Sequence, residues 1–380
     1  MDFSIVIYAG SNLICDPDQE LLGLSLLKRQ IFTARNLKPK NIIVVKNETD
    51  EIPTGKILFI NAAYFVHPLA ISKIVNGDHF FIEDGGYFAY LDSENSTHEI
   101  KCFLEKGVFE TKETTAPGHG YRVLLDSPDK LKLLTKELFY AMRKPIDGLM
   151  ARSLNKAVSF FLTEHLWIPL RFSPNMVTLV AVVIGVISGF ICAQGTGFAL
   201  ILGTFLAQFS SILDGCDGEV ARLTFKTSTA GKWFDSIGDS LVNTSLSIGL
   251  GYGLEPYFGS FPVIIGWSIT AVSWIHNFVS YFDVIVVRKT TDVFAFTWWF
   301  EKKDRSSDID ISKAVYGPIS FFEFLKYLTR RDLYLFAYFL FAIIGPTAIM
   351  IGYAATAVFL IPSLFLTFAH IYFGIIKKLK

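Results

Sequence analysis

The stretch Asp214-Gly215-Cys216-Asp217-Gly218-Glu219-Val220-Ala221-Arg222, followed after eight residues by Gly231-Lys232-Trp233-Phe234-Asp235-Ser236-Ile237-Gly238-Asp239, decides the reading of this chain. Helical residues three or four apart share a face, so Asp214 and Asp217 are expected to project together from one helix, and Asp235 and Asp239 from the next. Apolar runs of about 20 residues flank the stretch, long enough to cross a bilayer. Ionised groups there cost roughly 2.5 to 3.5 kcal/mol each on insertion scales, and Arg222 alone cannot balance four carboxylates. Clustered oxygen ligands suit hard divalent cations, which would supply the missing positive charge.

Working outward, the pattern predicts six spans, at about 174–194, 197–220, 233–254, 261–287, 333–352 and 355–376. Ser173-Pro174 is a good helix start, with Ser as the cap and Pro in the first turn. Lys144, Arg152, Lys156 and Arg171 precede the first span; Arg222, Lys226 and Lys232 fall between the second and third. Arg288, Lys289, Arg330 and Arg331 fall between the fourth and fifth, and Lys377, Lys378 and Lys380 end the chain. The opposite turns, near Gly195, Pro256 and Tyr353, carry no Lys or Arg. Positive charge marks cytoplasmic loops, so both termini and the Asp motif are expected on the cytoplasmic side of a cell membrane.

Residues 1–140 have the mixed composition of a soluble domain. β-rich runs at 4–8, 41–46, 57–61 and 79–83, with an amphipathic helix at 20–36, predict a mainly parallel, Rossmann-like α/β sheet. Turn-rich segments at 93–98 and 111–120 precede a helical stretch at 128–142. Residues 141–172 read as a linker and juxtamembrane amphipathic helix, with Arg152 and Lys156 facing water. Residues 173–380 form the six-helix membrane domain. The fold class is thus a multi-pass α-helical membrane body with an N-terminal soluble α/β head.

The two glycines, the Ala-Arg pair and the four Asp residues occur at the spacing of the CDP-alcohol phosphotransferase signature, and the chain is similar to that family over this motif. The resemblance implies an enzyme that moves a phosphoalcohol group from a CDP-alcohol donor to an acceptor alcohol and releases CMP. It implies two Mg²⁺ or Mn²⁺ ions held by Asp214, Asp217, Asp235 and Asp239, with Asp239 also taking the acceptor's proton. It assigns nucleotide contacts to Gly218, Ala221, Arg222 and Gly231, and to Asn175, Thr178 and Ser228. Gly218, lacking a side chain, lets a ribose or phosphate approach the helix, and Arg222 can pair with phosphate oxygens. A phosphorylated acceptor calls for a basic pocket, with Lys226, Arg288, Lys289, Arg330 and Arg331 as candidates. Each of these can equally be a positive-inside anchor or a headgroup contact. His276 and Asn277, polar at membrane depth, read as helix-to-helix hydrogen-bonding residues. A homodimer through the membrane helices is a family expectation.

The head resembles nucleotidyltransferase-type domains, and with the juncture KPIDGLMARSLNKAVS the organisation resembles archaeal fusions of an inositol-phosphate cytidylyltransferase to a di-inositol-phosphate phosphate synthase. Active members carry a glycine-rich loop with a basic residue. Here Gly10 is followed by SNLICDPDQELLG, too poor in glycine and too acidic to cradle phosphate on backbone amides. A degenerate head is therefore expected, with a bifunctional enzyme that makes its own CDP-alcohol from CTP as the alternative.

Composition narrows the remaining classes. Among 380 residues, 51% are hydrophobic, and 35 basic residues balance 35 acidic ones, so charge gives no argument for a nucleic-acid partner. Cys15, Cys102, Cys192 and Cys216 lack metal-binding spacing, and Cys216 reads as a small buried filler. Intramembrane carboxylates also occur in ion-transport paths, a competing class. Transport does not demand the glycines or the Ala-Arg pair, and the cluster is expected at a membrane rim.

Overall fold

The computed structural model describes residues 3–10, 16–47, 50–62, 64–66, 81–83, 88–91, 96–106, 122–125, 127–143, 154–300 and 331–377. Arg152, Arg330, the loop at 111–120 and the residues directly after Gly10 lie outside them. The chain divides into two compact units, Met1–Ala141 and Met142–Lys380.

In the first unit, strands β1 (Ser4–Tyr8), β2 (Glu20–Leu21) and β3 (Leu24–Ser25) precede helix α1 (Leu26–Asn36). Then come β4 (Ile42–Val45), β5 (Ile57–Asn61), β6 (Tyr64–Val66), β7 (Phe81–Glu83), β8 (Phe88–Leu91), α2 (Ser96–Lys106), β9 (Arg122–Leu124) and α3 (Pro128–Tyr140). The main sheet has the order β4-β1-β5-β8-β7. β4, β1 and β5 run parallel, whereas β8 and β7 pair antiparallel. The sheet is therefore mixed where the sequence predicts a mainly parallel one. Glu83 pairs with Phe88 across Asp84-Gly85-Gly86-Tyr87, a glycine-rich connection that suits a hairpin and not a crossover.

β1 and β5 are buried along their whole length, as strands covered on both faces must be. Because side chains alternate, Ile5, Ile7, Leu58 and Ile60 pack with Ala34 of α1, while Val6, Tyr8, Ile57 and Phe59 pack with Ile100 and Phe103 of α2. The amphipathic segment predicted as one helix from Glu20 opens instead with the β2–β3 hairpin, and α1 begins only after Ser25, whose Oγ accepts from the Lys28 amide. Buried Arg29 of α1 donates to the carbonyl of Leu21 at 2.7 Å, and burial lowers its guanidinium to about 10, leaving it charged at neutral pH.

The second unit is helical. α4 (Lys156–Leu162) continues as a wider π turn, Thr163–Trp167, and is followed by α5 (Pro174–Cys192), α6 (Gly197–Leu223), α7 (Thr229–Phe258) and α8 (Phe261–Phe282). α9 (Arg331–Ile344) and α10 (Pro346–His370) complete it. Ser173, Thr196 and Ser228 cap α5, α6 and α7 by accepting from the amides of Met176, Ala199 and Gly231. Four stretches are long and apolar enough to cross a membrane: Pro174–Cys192, Gly197–Leu223, Phe261–Val287 and Pro346–Ile376. α7 is long enough but carries Lys232, Asp235, Asp239 and Glu255, and α9 has 14 residues. The unit is thus a membrane domain with four such stretches among the described residues.

The last connection lies elsewhere than the sequence predicts. The turn expected near Tyr353 is at Gly345-Pro346, with Gly345 at φ +136°, and Tyr353 is buried inside α10. Proline restricts the residue before it away from helix, and glycine takes the resulting conformation without strain. α5 and α7 meet backbone to backbone: a Cβ on Gly189 would collide with the Ser245 carbonyl, and one on Gly249 with the Gly189 carbonyl. Such small-residue contacts are the usual means of close approach in lipid.

Candidate active site

The residues of the Asp motif converge on one cavity. α6 brings Asp214 and Asp217 from its last turns, and α7 brings Asp235 and Asp239 from its first. One carboxylate oxygen each of Asp214, Asp217 and Asp235 lies within 4.8 Å of the others. Thr178 of α5 donates to Asp217 Oδ2, which fixes the orientation of that carboxylate. Asp235 Oδ1 is buried with no hydrogen-bond partner among the described residues. Burying such an oxygen is costly unless something else binds it, so an all-oxygen site with an orphaned acceptor fits a hard cation.

Asp239 stands apart from that group. It forms an ion pair with Arg331 of α9, whose Nη1 also lies 4.0 Å from Asp214 Oδ2. Arg222 lies over Gly218, where a Cβ would sit 3.5 Å from its guanidinium nitrogens, so the glycine leaves the arginine room one turn away. Asn175 Oδ1 and Ser228 Oγ approach Gly231 so closely that a Cβ there would be 3.1 and 3.0 Å from them.

These groups line one cavity of about 590 Å³. Its walls include the four Asp residues, and also Gly218, Ala221 and Arg222. Asn175, Thr178, Ser228 and Gly231 line it as well, as do Lys226 and Arg331. Arg288 and Lys289 are not among the lining residues. Arg288 is engaged by Asp283 at 2.5 Å and by Thr297, donating to its hydroxyl at 2.7 Å and its carbonyl at 2.6 Å. Asn277 donates to Ser240 Oγ at 2.9 Å, and His276 meets Thr367 Oγ1 at 3.1 Å, both bonds between helices.

Three features have no counterpart in the sequence reading. Glu219, inside the motif, is fully buried and bonded by three side chains of the α4 segment. Lys156 is one of them, so it pairs with a buried carboxylate at the cavity wall where its amphipathic pattern predicts a side chain facing bulk water. Arg331 reaches Asp239 across 92 residues of sequence, a separation that no local pattern reports.

Fold and site together define a helical membrane protein with a carboxylate cluster that could hold a metal ion in the wall of a cavity. The CDP-alcohol phosphatidyltransferase family model matches residues 171–375, more than half of the chain, and the chain belongs to that family. It is 39% identical over 165 residues to the bifunctional IPC transferase and DIPP synthase of Archaeoglobus fulgidus, covering 43% of this chain and 32% of that protein. Its similarity to the Thermococcus kodakarensis protein of the same name is 32% over 196 residues, covering 49% and 43% respectively. It is also 31% identical over 130 residues to the CDP-diacylglycerol–serine O-phosphatidyltransferase of Helicobacter pylori, covering 34% and 52%. The chain thus spans between 32% and 52% of these relatives' lengths.

Proposed function

We propose that this protein transfers a phosphoalcohol group from a CDP-alcohol to an acceptor alcohol and releases CMP. The observation that carries the reading is the meeting of Asp214, Asp217 and Asp235 within 4.8 Å, in a cavity that also presents Arg222, Asn175 and Thr178. Asp214, Asp217, Asp235 and Asp239 are the residues that would hold two Mg²⁺ or Mn²⁺ ions. When bound, such a pair withdraws charge from the diphosphate and steadies the attacking and leaving oxygens.

The chain's own residues do the rest. Thr178 holds Asp217 in register, and Gly218 clears space for the nucleotide beside Arg222, whose guanidinium pairs with phosphate oxygens. Asn175, Ser228 and Gly231 border the nucleotide end, with Ala221 beside them. Asp239 receives the proton of the incoming hydroxyl at a carboxylate oxygen. Of the cations that line the cavity, Lys226 and Arg331 would receive a phosphorylated acceptor. Attack in a single displacement leaves no covalent enzyme intermediate.

The same reading has α5 to α10 as six spans, with both termini and the cavity cytoplasmic, since Arg222, Lys226, Lys232, Arg288, Lys289 and Arg331 all lie towards one side of the sequence-defined topology. It includes a homodimer in the membrane. It takes residues 1–140 as a degenerate cytidylyltransferase-like head, 141–172 as the joint and 173–380 as the transferase. The test is CMP release by the purified full chain in detergent, screened over CDP-alcohol donors and alcohol acceptors by mass spectrometry. Release that requires Mg²⁺ or Mn²⁺ supports the proposal; ion flux in liposomes without CMP overturns it. Pyrophosphate release from CTP would overturn the degenerate head.

A further inference from the structure

Glu219 lies two residues after Asp217 on α6 and is completely buried. Lys156 Nζ donates to its Oε1 at 3.0 Å, Ser159 Oγ to the same oxygen at 2.7 Å, and Thr163 Oγ1 to Oε2 at 2.8 Å. The three donors are spaced three and four residues apart, so one face of a single helical segment supplies them all. Two further bonds join the same segment to the same side of α6: Gln208 Nε2 donates to Asn155 Oδ1 at 2.9 Å, and Cys216 Sγ donates to the Ser159 carbonyl at 3.6 Å.

At about 100° per residue, Glu219 points roughly 140° away from Asp214 and roughly 160° away from Asp217 around the helix axis. α6 therefore carries two polar faces near its end. One carries the Asp side chains of the cavity, and the other carries Glu219, bonded at both carboxylate oxygens by a segment whose Lys156 and Ser159 also line that cavity. A buried ion pair is poor evidence for stability, since apolar residues of similar size often serve as well. What several directed bonds do supply is a definite rotation. Turning α6 by a fraction of one residue step would break the Glu219 bonds and swing Asp214 and Asp217 away from Asp235.

We infer that Glu219, held by Lys156, Ser159 and Thr163, is a positioning residue that sets the rotation of α6 and thereby brings the Asp214 and Asp217 carboxylates to the divalent cation site. The juxtamembrane segment is accordingly part of the catalytic frame. It acts through the helix and touches neither metal nor substrate by way of Glu219. The inference rests on the metal reading of the Asp cluster.

The test is Mn²⁺ titration of the purified full chain in detergent, read by the electron paramagnetic resonance of free Mn²⁺, alongside the thermal midpoint of each variant. The Glu219→Met/Lys156→Met double variant removes both charges and the brace, leaving the Ser159 and Thr163 hydroxyls able to bond their own helix, and because Lys156 also lines the cavity its affinity is read against Lys156→Met alone. Its midpoint is expected near that of the parent, while Mn²⁺ affinity falls about 10-fold below that of Lys156→Met, the low end of what losing a partner bonded directly to a metal ligand costs. Mn²⁺ affinity in this folded variant equal to that of Lys156→Met would overturn the inference. If the double variant does not fold, Thr163→Val, which deletes a single bond, decides in its place: several-fold weaker Mn²⁺ binding supports the inference and unchanged binding overturns it. A parent chain that binds no Mn²⁺ would remove the metal site itself and the inference with it, a result distinct from equal binding by parent and variant.

Discussion

The head sheet and the α5–α7 helix pair solve the same problem, holding backbone close to backbone, with opposite materials. β1 and β5 are buried under Ile, Val, Leu and Phe from two helices, the outcome expected where water drives apolar surface together. α5 and α7 meet at Gly189 and Gly249, and neighbouring helices add polar links such as Asn277 to Ser240. Lipid offers no comparable apolar driving force, so close van der Waals contact and directed bonds carry the association. The lesson concerns where a charge can be kept. The head buries Arg29 of α1 against the carbonyl oxygens of Leu21 and Leu22, whereas the helical unit keeps a whole set of carboxylates near its bonded helix ends.

That contrast can be broken in order of expected effect. Asp217→Asn removes a carboxylate at the centre of the cluster and should lower CMP release by about a thousandfold or more, equivalent to roughly 4 kcal/mol of barrier, with little change in thermal midpoint. Leu58→Ala empties a fully buried position of the head and should cost about 3 kcal/mol. All six tryptophans lie in the helical unit, so hydrogen exchange of β5 is the suitable readout. CMP release should be retained; its parallel loss would show that the two units depend on one another.

Gly249→Val drives a branched side chain against the Gly189 carbonyl and should cost about 1 to 3 kcal/mol of helix association, measured by SDS unfolding. A neutral result would mean that α5 and α7 are not held by close contact. Asn277→Ala, which loses one bond between helices, should cost only about 0.6 kcal/mol in the same assay. A cost several times larger would mark that bond as part of a wider network.

Much of the site is legible in the chain because its signal is local. Asp214, Asp217, Asp235 and Asp239 keep helical spacing, and Ser173-Pro174 announces a helix start that the structure caps as expected. β1 and β5 are read to the residue, because a fully apolar strand bounded by turns has no competing period. The turn at Gly345 is missed for the opposite reason. Apolar residues continue on both sides of it, so hydropathy shows no gap and only the Gly-Pro pair marks the break. Lys156 defeats its amphipathic pattern because its partner, Glu219, is 63 residues away. Arg331 and Asp239 likewise meet only through the tertiary fold. β8 is short and sits beside a glycine-rich connection, where a strand signal and a loop signal overlap.

The central claim is that Asp214, Asp217 and Asp235 share a bound divalent ion. Anomalous diffraction from crystals of the full chain soaked with Mn²⁺ and a cytidine nucleotide tests it most directly. Density for the ion is expected between these three carboxylates, with the nucleotide's phosphate beside Arg222. Carboxylates turned apart with no anomalous peak among them would contradict it.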